Sequence, residues 1–200
     1  MPTPASVILC GGQSRRMGRP KASLILDGRT LLQRTLETLQ PVTSPVVIAA
    51  GQNDLPINAI SGSSLILVHD AVAQQGPLAG VAAAYPVLVD RAEIVFICSC
   101  DLPLLKAGFV ARVCELVGEF DAAVPEHGGR RHPLAAAYRV AALAKAAELL
   151  AGGEHRAMAW IDALKIRRIG VDLLAGVDPE LQSLRNVNTP QDYAALVRGG

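Results

Sequence analysis

The 200-residue sequence has little of several features that mark specialised protein classes. Only 4% of the residues are aromatic, no C-x-x-C pair occurs among the four cysteines, and no apolar run approaches twenty residues. The formal net charge is +1, so the chain lacks a global field that would attract nucleic acid. These shortages argue against a zinc ribbon, a transmembrane protein and a nucleic-acid-binding protein.

The cysteines and the amino-terminal segment indicate a protein of a reducing compartment. Three of the four cysteines (Cys10, Cys98, Cys100 and Cys114) lie in or at the end of apolar runs. The Cys98–Cys100 spacing places both on one face of a strand, which favours buried thiols over metal ligands or a disulfide. The opening MPTPAS has neither the charged region nor the apolar region of a signal peptide. We therefore expect a cytoplasmic protein whose cysteines are structural.

Short apolar runs alternate with helical stretches along the chain. Strands are predicted at 6–10, 45–50, 65–68 and 93–100, with further strands at 121–124, 134–138 and 166–171. Helices are predicted at Thr30–Gln40, Pro77–Val89, Lys106–Val117, Val140–Leu150 and Arg156–Leu164. Continuous apolar strands separated by helices predict an α/β fold: one Rossmann-like three-layer domain over residues 1–200, with a mostly parallel sheet. The less regular last third predicts one antiparallel strand.

A glycine-rich basic loop, L-C-G-G-Q-S-R-R-M-G-R-P-K, follows the first strand. Its spacing fits neither the P-loop nor the dinucleotide fingerprint. Gly11 and Gly12 allow backbone N–H groups to approach a ligand without a Cβ in the way. The basic side chains that follow supply charge-assisted donors for phosphate: Arg15, Arg16, Arg19 and Lys21. The loop therefore predicts a polyanion site, with a glycine turn carrying solvated arginines as the alternative.

Two further motifs follow strands and are expected at the same edge of the sheet, where ligands of such folds bind. Asp101, in C-S-C-D-L-P, suits Mg²⁺, and a cap of the helix that begins near Lys106 is the alternative. Asp70 precedes the G-P-L-A-G segment at 76–80. Pro77 and Gly80 indicate a helix N-terminus approached closely by a ligand, or simply a packed helix of small residues.

The opening segment resembles a family signature. V-I-L-C-G-G-Q-S-R-R-M-G-R-P-K is similar to L-A-x-G-x-S-x-R-M-G-x-x-K of nucleotidyltransferases that use a nucleoside triphosphate, with Cys10 in place of the usual alanine. The resemblance implies that the loop wraps the triphosphate and that Lys21 and Arg15 contact phosphate. It further implies a metal role for Asp101. The nucleotide site that it implies comprises Leu9, Cys10, Gly11, Gly12, Lys21, Asp70, Gly80 and Asp101.

Three features resemble one branch, the molybdenum cofactor guanylyltransferases, or molybdopterin-guanine dinucleotide synthases. The loop reads C-G-G, and Gly11 removes a methyl group where a purine would approach. The segments at 131–138 and 153–160 resemble that branch's H-P-L and G-E-x-R segments, which places Arg156 near the pterin side.

The third feature is N-V-N-T-P-Q-D at 186–192. Asn186 and Asn188 stand where the cytidylyl branch tends to have aspartates, and their neutral amides match the donors and acceptors of a pterin edge. Thr189, Pro190 and Asp192 also form a helix cap, and both interpretations can hold together. One departure concerns the asparagine that the branch often carries after the second strand. Asn53 comes later than expected, and the backbone near Gly51 is the alternative.

The resemblance implies a Mg²⁺-dependent transfer of GMP from GTP to the terminal phosphate of molybdopterin, with release of pyrophosphate. The expected partners are GTP, the molybdenum cofactor and molybdoenzymes or their chaperones, without nucleic acid or membrane. Three alternatives stay open: a cytidylyltransferase of the same cofactor, a sugar-phosphate nucleotidyltransferase, and a non-catalytic carrier of GTP or cofactor. It is also open whether Arg156, Trp160 and Arg185 line the pterin pocket.

Overall fold

The computed structural model describes residues 2–11, 20–51, 64–69 and 76–198. Its strands are β1 (Ala5–Leu9), β2 (Ile25–Leu26), β3 (Arg29–Thr30), β4 (Val46–Ala50), β5 (Leu65–His69), β6 (Ile94–Ser99), β7 (Ala122–His127), β8 (Arg130–Arg131), β9 (Ala135–Arg139) and β10 (Ile166–Ile169). Its α-helices are α1 (Leu31–Leu39), α2 (Pro77–Leu88), α3 (Ala107–Glu115), α4 (Leu143–Ala151), α5 (Ala157–Asp162) and α6 (Pro190–Arg198). The predicted elements are present, with shifts of a few residues at their ends.

The main sheet is mostly parallel, as the sequence predicts. Within the described ranges its strands lie in the order β10-β7-β9-β6-β1-β4-β5, with β8 paired to β7. β1 is central and pairs in parallel with β4 and β6. β9 runs antiparallel to both of its neighbours, β6 and β7. The connection at 128–134 is too short for the dozen or so residues that a parallel crossover needs, so β9 can only return antiparallel.

Helices cover both faces of this sheet because its central strands are apolar on both sides. On β1, Ile8 faces one cluster, which includes Leu32, Leu36 and Phe109 from α1 and α3. Val7 and Leu9 face the other cluster, which contains residues of α2, α4 and α5. Successive side chains along a strand point to opposite faces of the sheet, so neighbouring residues of β1 pack into different hydrophobic clusters. The predicted three-layer α/β architecture is confirmed.

Three short strands, β2, β3 and β8, were not predicted. β2 and β3 form an antiparallel hairpin whose turn is Asp27–Gly28, with φ of 51° and 77°. Positive φ at both central residues is the type I′ pattern that matches strand twist, and Asp-Gly favours it. The hairpin leads into α1, where Thr30 and Gln33 form a reciprocal capping box. Across the part of the chain that the structure describes, no helix combines the length and apolarity needed to cross a membrane.

Candidate active site

The carboxyl ends of β1, β4 and β6 meet at one edge of the sheet. The Cys10 backbone N–H donates to the Ala49 carbonyl over 2.8 Å, and Cys100 N–H donates to the Leu9 carbonyl over 3.3 Å. A Cβ added to Gly51 would lie 3.8 Å from the Cα of Gly11. The chain segments that leave the three strands are therefore in direct contact, so residues far apart in sequence share one site.

Lys21 and Asp101 form an ion pair at this edge. Lys21 begins a short 3₁₀ turn after Pro20, and its Nζ lies 2.6 Å from Oδ2 of Asp101. The two side chains are only 19% and 11% exposed, so water screens the pair weakly. The Lys21 ammonium also donates to Oδ1 of Asn188 over 2.7 Å. The two residues predicted to hold phosphate and metal thus contact each other.

Asp101 does not cap a helix. α3 begins after Lys106, which has no side-chain cap hydrogen bond. Oδ1 of Asp101 instead accepts a hydrogen bond from the Ser99 hydroxyl and a second one, over 3.0 Å, from Nδ2 of Asn186. The carboxylate is therefore fully engaged with side chains around the site, and the helix-cap alternative for Asp101 is wrong.

The asparagine segment crosses directly over Asp101. The Val187 backbone N–H donates to the Asp101 carbonyl over 3.0 Å, and the Val187 side chain is buried. Because Val187 points inward, Asn186 and Asn188 on either side reach Asp101 and Lys21 respectively. The sequence interpretation assigns these asparagines to the pterin. In the structure their side chains belong to the same cluster as the predicted phosphate and metal residues.

The helix cap at the start of α6 is confirmed. The Asp192 N–H donates to the Thr189 hydroxyl over 3.1 Å, and Oδ2 of Asp192 accepts from the backbone N–H groups of Asn188 and Thr189. These hydrogen bonds lower the pKa of Asp192, since they stabilise its charged form. The cap also fixes the backbone of Asn188, so the two interpretations of this segment are compatible.

A buried carboxylate anchors the chain before the asparagine segment. Asp178 is fully buried; its Oδ1 accepts from Lys106 Nζ over 2.7 Å and its Oδ2 accepts from the Ser183 N–H over 2.8 Å. The Ser183 hydroxyl accepts from the Lys106 backbone N–H over 3.1 Å. Burial acts to raise the pKa of Asp178, but the hydrogen bonds from Lys106 and Ser183 outweigh it, and the pKa is lowered. These hydrogen bonds, called the Asp178 clamp below, fix the chain at Asp178 and Ser183, shortly before Asn186.

A second cluster lies where α2 begins. Gly76 has φ of 71°, and a Cβ there would come within 2.9 Å of the His155 carbonyl oxygen. The segment G-E-H-R therefore packs against the segment G-P-L-A-G, and only glycine fits at Gly76. Gly80 is buried inside α2. The exposed Arg156 pairs with Glu154 over 2.6 Å, which lowers the pKa of Glu154 to about 2. The pterin assignment of Arg156 stays a prediction.

Trp160 belongs to the core. It is fully buried, it stacks on Tyr138 with ring centroids 4.3 Å apart, and its Nε1–H donates to the Ala142 carbonyl over 3.1 Å. Arg185 is exposed and borders a cavity of about 230 Å³ together with Asn186 and Asp192. Of the three side chains considered for a pterin pocket, Trp160 is therefore excluded by its packing.

Comparison with known proteins decides the family. The model of the MobA-like NTP transferase domain matches residues 6–168. The chain belongs to the MobA-like NTP transferase family. A molybdenum cofactor guanylyltransferase of Desulfosudis oleivorans is 32% identical, with 93% of this chain and 90% of the relative covered. A probable molybdenum cofactor guanylyltransferase of Mycobacterium avium is also 32% identical, with 97% and 95% covered.

The solved structures agree on the fold of this NTP transferase. Molybdopterin-guanine dinucleotide biosynthesis protein A from Archaeoglobus fulgidus superposes with a TM-score of 0.79 at 24% identity, covering 97% of each chain. At this identity the likeness establishes the α/β fold. The resemblance read from the glycine-rich loop is thus confirmed at the level of family and fold.

Several predicted residues of the NTP transferase site lie outside the described ranges. These are Gly12, Arg15, Arg16, Arg19, Asn53 and Asp70. Their roles at the phosphate and nucleoside remain predictions. Leu9, Cys10 and Gly11 are placed at the site's edge, where Leu9 is buried and Gly11 is exposed.

The cysteines contribute to the core beneath the site. Cys98 and Cys100 are buried in one hydrophobic cluster, and Cys10 packs against it. A hydrogen bond with Cys100, together with burial, raises the pKa of the Cys10 thiol, and burial raises the pKa of Cys114 to about 12. All four are free thiols. Raised pKa values disfavour the nucleophilic thiolate, as expected of structural cysteines.

Sequence reasoning missed three side chains that support the site: Ser99, Lys106 and Asp178. The signal for Ser99 is its place at the end of a predicted strand, two positions before Asp101. For Asp178 and Lys106 no local signal exists, because their pairing spans 72 positions.

Proposed function

We propose that this chain is a molybdenum cofactor guanylyltransferase. It transfers GMP from GTP to the terminal phosphate of molybdopterin, forms a phosphoanhydride bond and releases pyrophosphate. The observation that carries the proposal is the Lys21–Asp101 ion pair, 2.6 Å long and located beside the start of the glycine-rich loop. The similarity of relatives with this activity in their names, over nearly the full length of both chains, supports it.

The chemistry requires two anions to approach each other. The ionised phosphate of molybdopterin attacks the α-phosphorus of GTP, the bond between the α-phosphorus and the bridging oxygen breaks, and pyrophosphate leaves with the electron pair. No general base is needed because the nucleophile is already deprotonated. Catalysis therefore depends on positioning and charge neutralisation. The Lys21 ammonium binds phosphate oxygens and stabilises the charge that develops on pyrophosphate.

The residues present fit a magnesium site. Asp101 offers an ordered, nearly buried carboxylate, and the amide groups of Asn186 and Asn188 lie beside it. Mg²⁺ typically binds through one or two carboxylates, with waters and substrate phosphates completing its shell. Among the described residues no group of three or more His, Cys, Asp or Glu side chains is arranged to hold a metal. Asp101 would hold Mg²⁺, which would supply positive charge to neutralise the phosphates.

The acceptor is proposed to enter from the side of Arg156 and the asparagine segment. Arg156 is largely exposed, with 78% of its side chain accessible, and its guanidinium is held by Glu154 near the start of α2. The cavity beside Asn186 is also lined by Asp192, Ala195 and Leu196 of α6. Exposed donors at both places suit an oxygen- and nitrogen-rich pterin.

The test is nucleotide discrimination. Pyrophosphate release is measured with molybdopterin and Mg²⁺ as a function of GTP, CTP or ATP concentration. We expect GTP to have the highest kcat/KM and omission of Mg²⁺ to abolish release. A preference for CTP would transfer the chain to the cytidylyl branch. Tight binding of GTP without release would favour the carrier alternative and contradict the proposal.

A further inference from the structure

The two carboxylate oxygens of Asp101 have different partners. Oδ2 is paired with the Lys21 ammonium at 2.6 Å. Oδ1 accepts from two neutral donors, the Ser99 hydroxyl and Nδ2 of Asn186. Neutral donors satisfy an oxygen without cancelling its charge, so the carboxylate retains its full attraction for a cation at Oδ2.

Two neighbouring segments hold the backbone of Ser99. It is the last residue of β6 and lies opposite Leu9 in the register with β1. Its backbone N–H donates to the Leu134 carbonyl over 3.3 Å, which ties it to the chain just before β9. The backbone that carries the hydroxyl is therefore held between β1 and the segment before β9, while Asn186, the other donor, lies on an exposed segment.

Without a donor at Oδ1, the Asp101 side chain could rotate about its last torsion angle and exchange the two oxygens. Terminal torsions of aspartate are broad, so the carboxylate plane is not fixed by its own rotamer. Groups that hold a metal-binding carboxylate commonly control metal affinity through its orientation. The Ser99 hydroxyl should therefore affect how tightly Asp101 binds a cation that replaces the Lys21 ammonium at Oδ2.

We propose that Ser99 is a positioning residue: with Asn186 it fixes Oδ1 of Asp101 so that Oδ2 is presented to a divalent cation. The inference rests on the proposed function in that it takes Asp101 as the metal-binding carboxylate. Ser99 itself does not contact substrate or metal. It acts through the orientation of Asp101.

The test compares Ser99→Thr with Ser99→Val in the full chain. Threonine and valine have nearly the same shape and differ in the hydroxyl, so a packing role would affect both variants alike. Binding of Mn²⁺ to the free protein is followed by electron paramagnetic resonance of the unbound ion. The concentration of Mg²⁺ that gives half-maximal pyrophosphate release is measured in parallel. Ser99→Ala serves as the smallest deletion, and thermal melting verifies folding.

We expect Ser99→Val and Ser99→Ala to weaken Mn²⁺ binding by about 10- to 100-fold, the usual loss when a supporting group of a metal site is removed. Ser99→Thr should stay within about threefold of the unchanged protein. The Mg²⁺ concentration that gives half-maximal pyrophosphate release should rise in the valine and alanine variants. The change of kcat at saturating Mg²⁺ should be smaller.

Equal affinities in the threonine and valine variants would overturn the proposal. So would a finding that Asp101→Asn binds Mn²⁺ as well as the unchanged protein, because the cation would then lie elsewhere. The Mn²⁺ measurement uses no nucleotide or acceptor. A threonine–valine difference in a protein that transfers no GMP would therefore uphold the role of Ser99 and contradict the proposed function.

Discussion

The Lys21 ammonium lies 2.6 Å from Oδ2 of Asp101, across 80 positions of sequence. The cation proposed for the triphosphate thus neutralises the carboxylate proposed for the metal. Because the ammonium and a divalent cation would compete for the same oxygen, nucleotide and metal binding should be coupled. If a triphosphate attracts Lys21 away from Asp101, Oδ2 would become available to a cation; conversely, Lys21 would be available to phosphate once Asp101 holds a cation.

Asp101→Ala should abolish most turnover without unfolding the chain. We expect kcat to fall at least about 100-fold, in the range found when a charge-stabilising group is removed from an active site. The backbone hydrogen bond from Val187 N–H to the Asp101 carbonyl survives the substitution, so the fold should persist. Pyrophosphate release and circular dichroism melting provide the two readouts. Asp162→Asn, in an exposed ion pair with Arg131, is the control. Full activity of the Asp101 variant with Mg²⁺ would contradict the metal assignment.

Lys21→Met should change the affinities for metal and nucleotide in opposite directions. Mn²⁺ binding to the free protein should strengthen about tenfold, because the substitution removes the positive charge that competes for the Asp101 carboxylate. GTP binding should weaken by about tenfold or more, since a charge-assisted hydrogen bond is lost. Lys145→Met removes the same charge from an exposed pair with Glu148 and should change neither affinity. Parallel losses of both affinities would indicate that Lys21 supports the loop rather than competing for Asp101.

Asp178→Asn should destabilise the chain and loosen the asparagine segment. The carboxylate is fully buried, but its partner Lys106 is 44% exposed and can be hydrated again. We therefore expect the free energy of unfolding to fall by about 1–3 kcal/mol in urea titrations. The exposed pair of Asp162 and Arg131 should be worth at most about 1 kcal/mol in the same assay.

Acid should weaken the Asp178 clamp. The pKa of Asp178 is lower in the folded chain than its ordinary value of 3.8, so its contribution to stability is fully present above that value. It is lost as pH falls from there through the folded pKa. The stability difference between the unchanged protein and Asp178→Asn should therefore be constant near neutral pH and shrink below about pH 4. A difference that persists undiminished at low pH would contradict the ion-pair assignment.

Asn186→Asp should damage the site more than Asn188→Asp. The first substitution replaces a donor to Oδ1 of Asp101 with a second carboxylate, and two neighbouring carboxylates repel. The second retains an acceptor for the Lys21 ammonium. At neutral pH we expect kcat/KM to be about tenfold lower for Asn186→Asp than for Asn188→Asp, a difference of about 1.4 kcal/mol. Equal effects would indicate that both side chains contact substrate instead of ordering Asp101 and Lys21.

Local patterns in the sequence were sufficient for the longer elements and for Lys21 and Asp101 of the site. Apolar runs predicted β1, β4, β5 and β6, and the Thr-Pro-x-Asp pattern predicted the cap of α6. The motif around Lys21 and the position of Asp101 after β6 predicted that both would lie at one edge of the sheet. The β2–β3 hairpin escaped prediction because its strands are two residues each, too short for a periodicity to register.

The sequence alone determined the longer strands, the helices and the placement of Lys21 and Asp101 at the carboxyl edge of the sheet, because these depend on periodicity and on neighbouring residues. The tertiary structure decided how those residues pair: Lys21 with Asp101 and Asn188, Asn186 and Ser99 with the other oxygen of Asp101, and Lys106 with Asp178. Pairing depends on strand order and on the path of the chain after β10. Strand order and chain path are set by the need to bury both apolar faces of the main sheet at once. That need is a property of the whole chain and of no single segment.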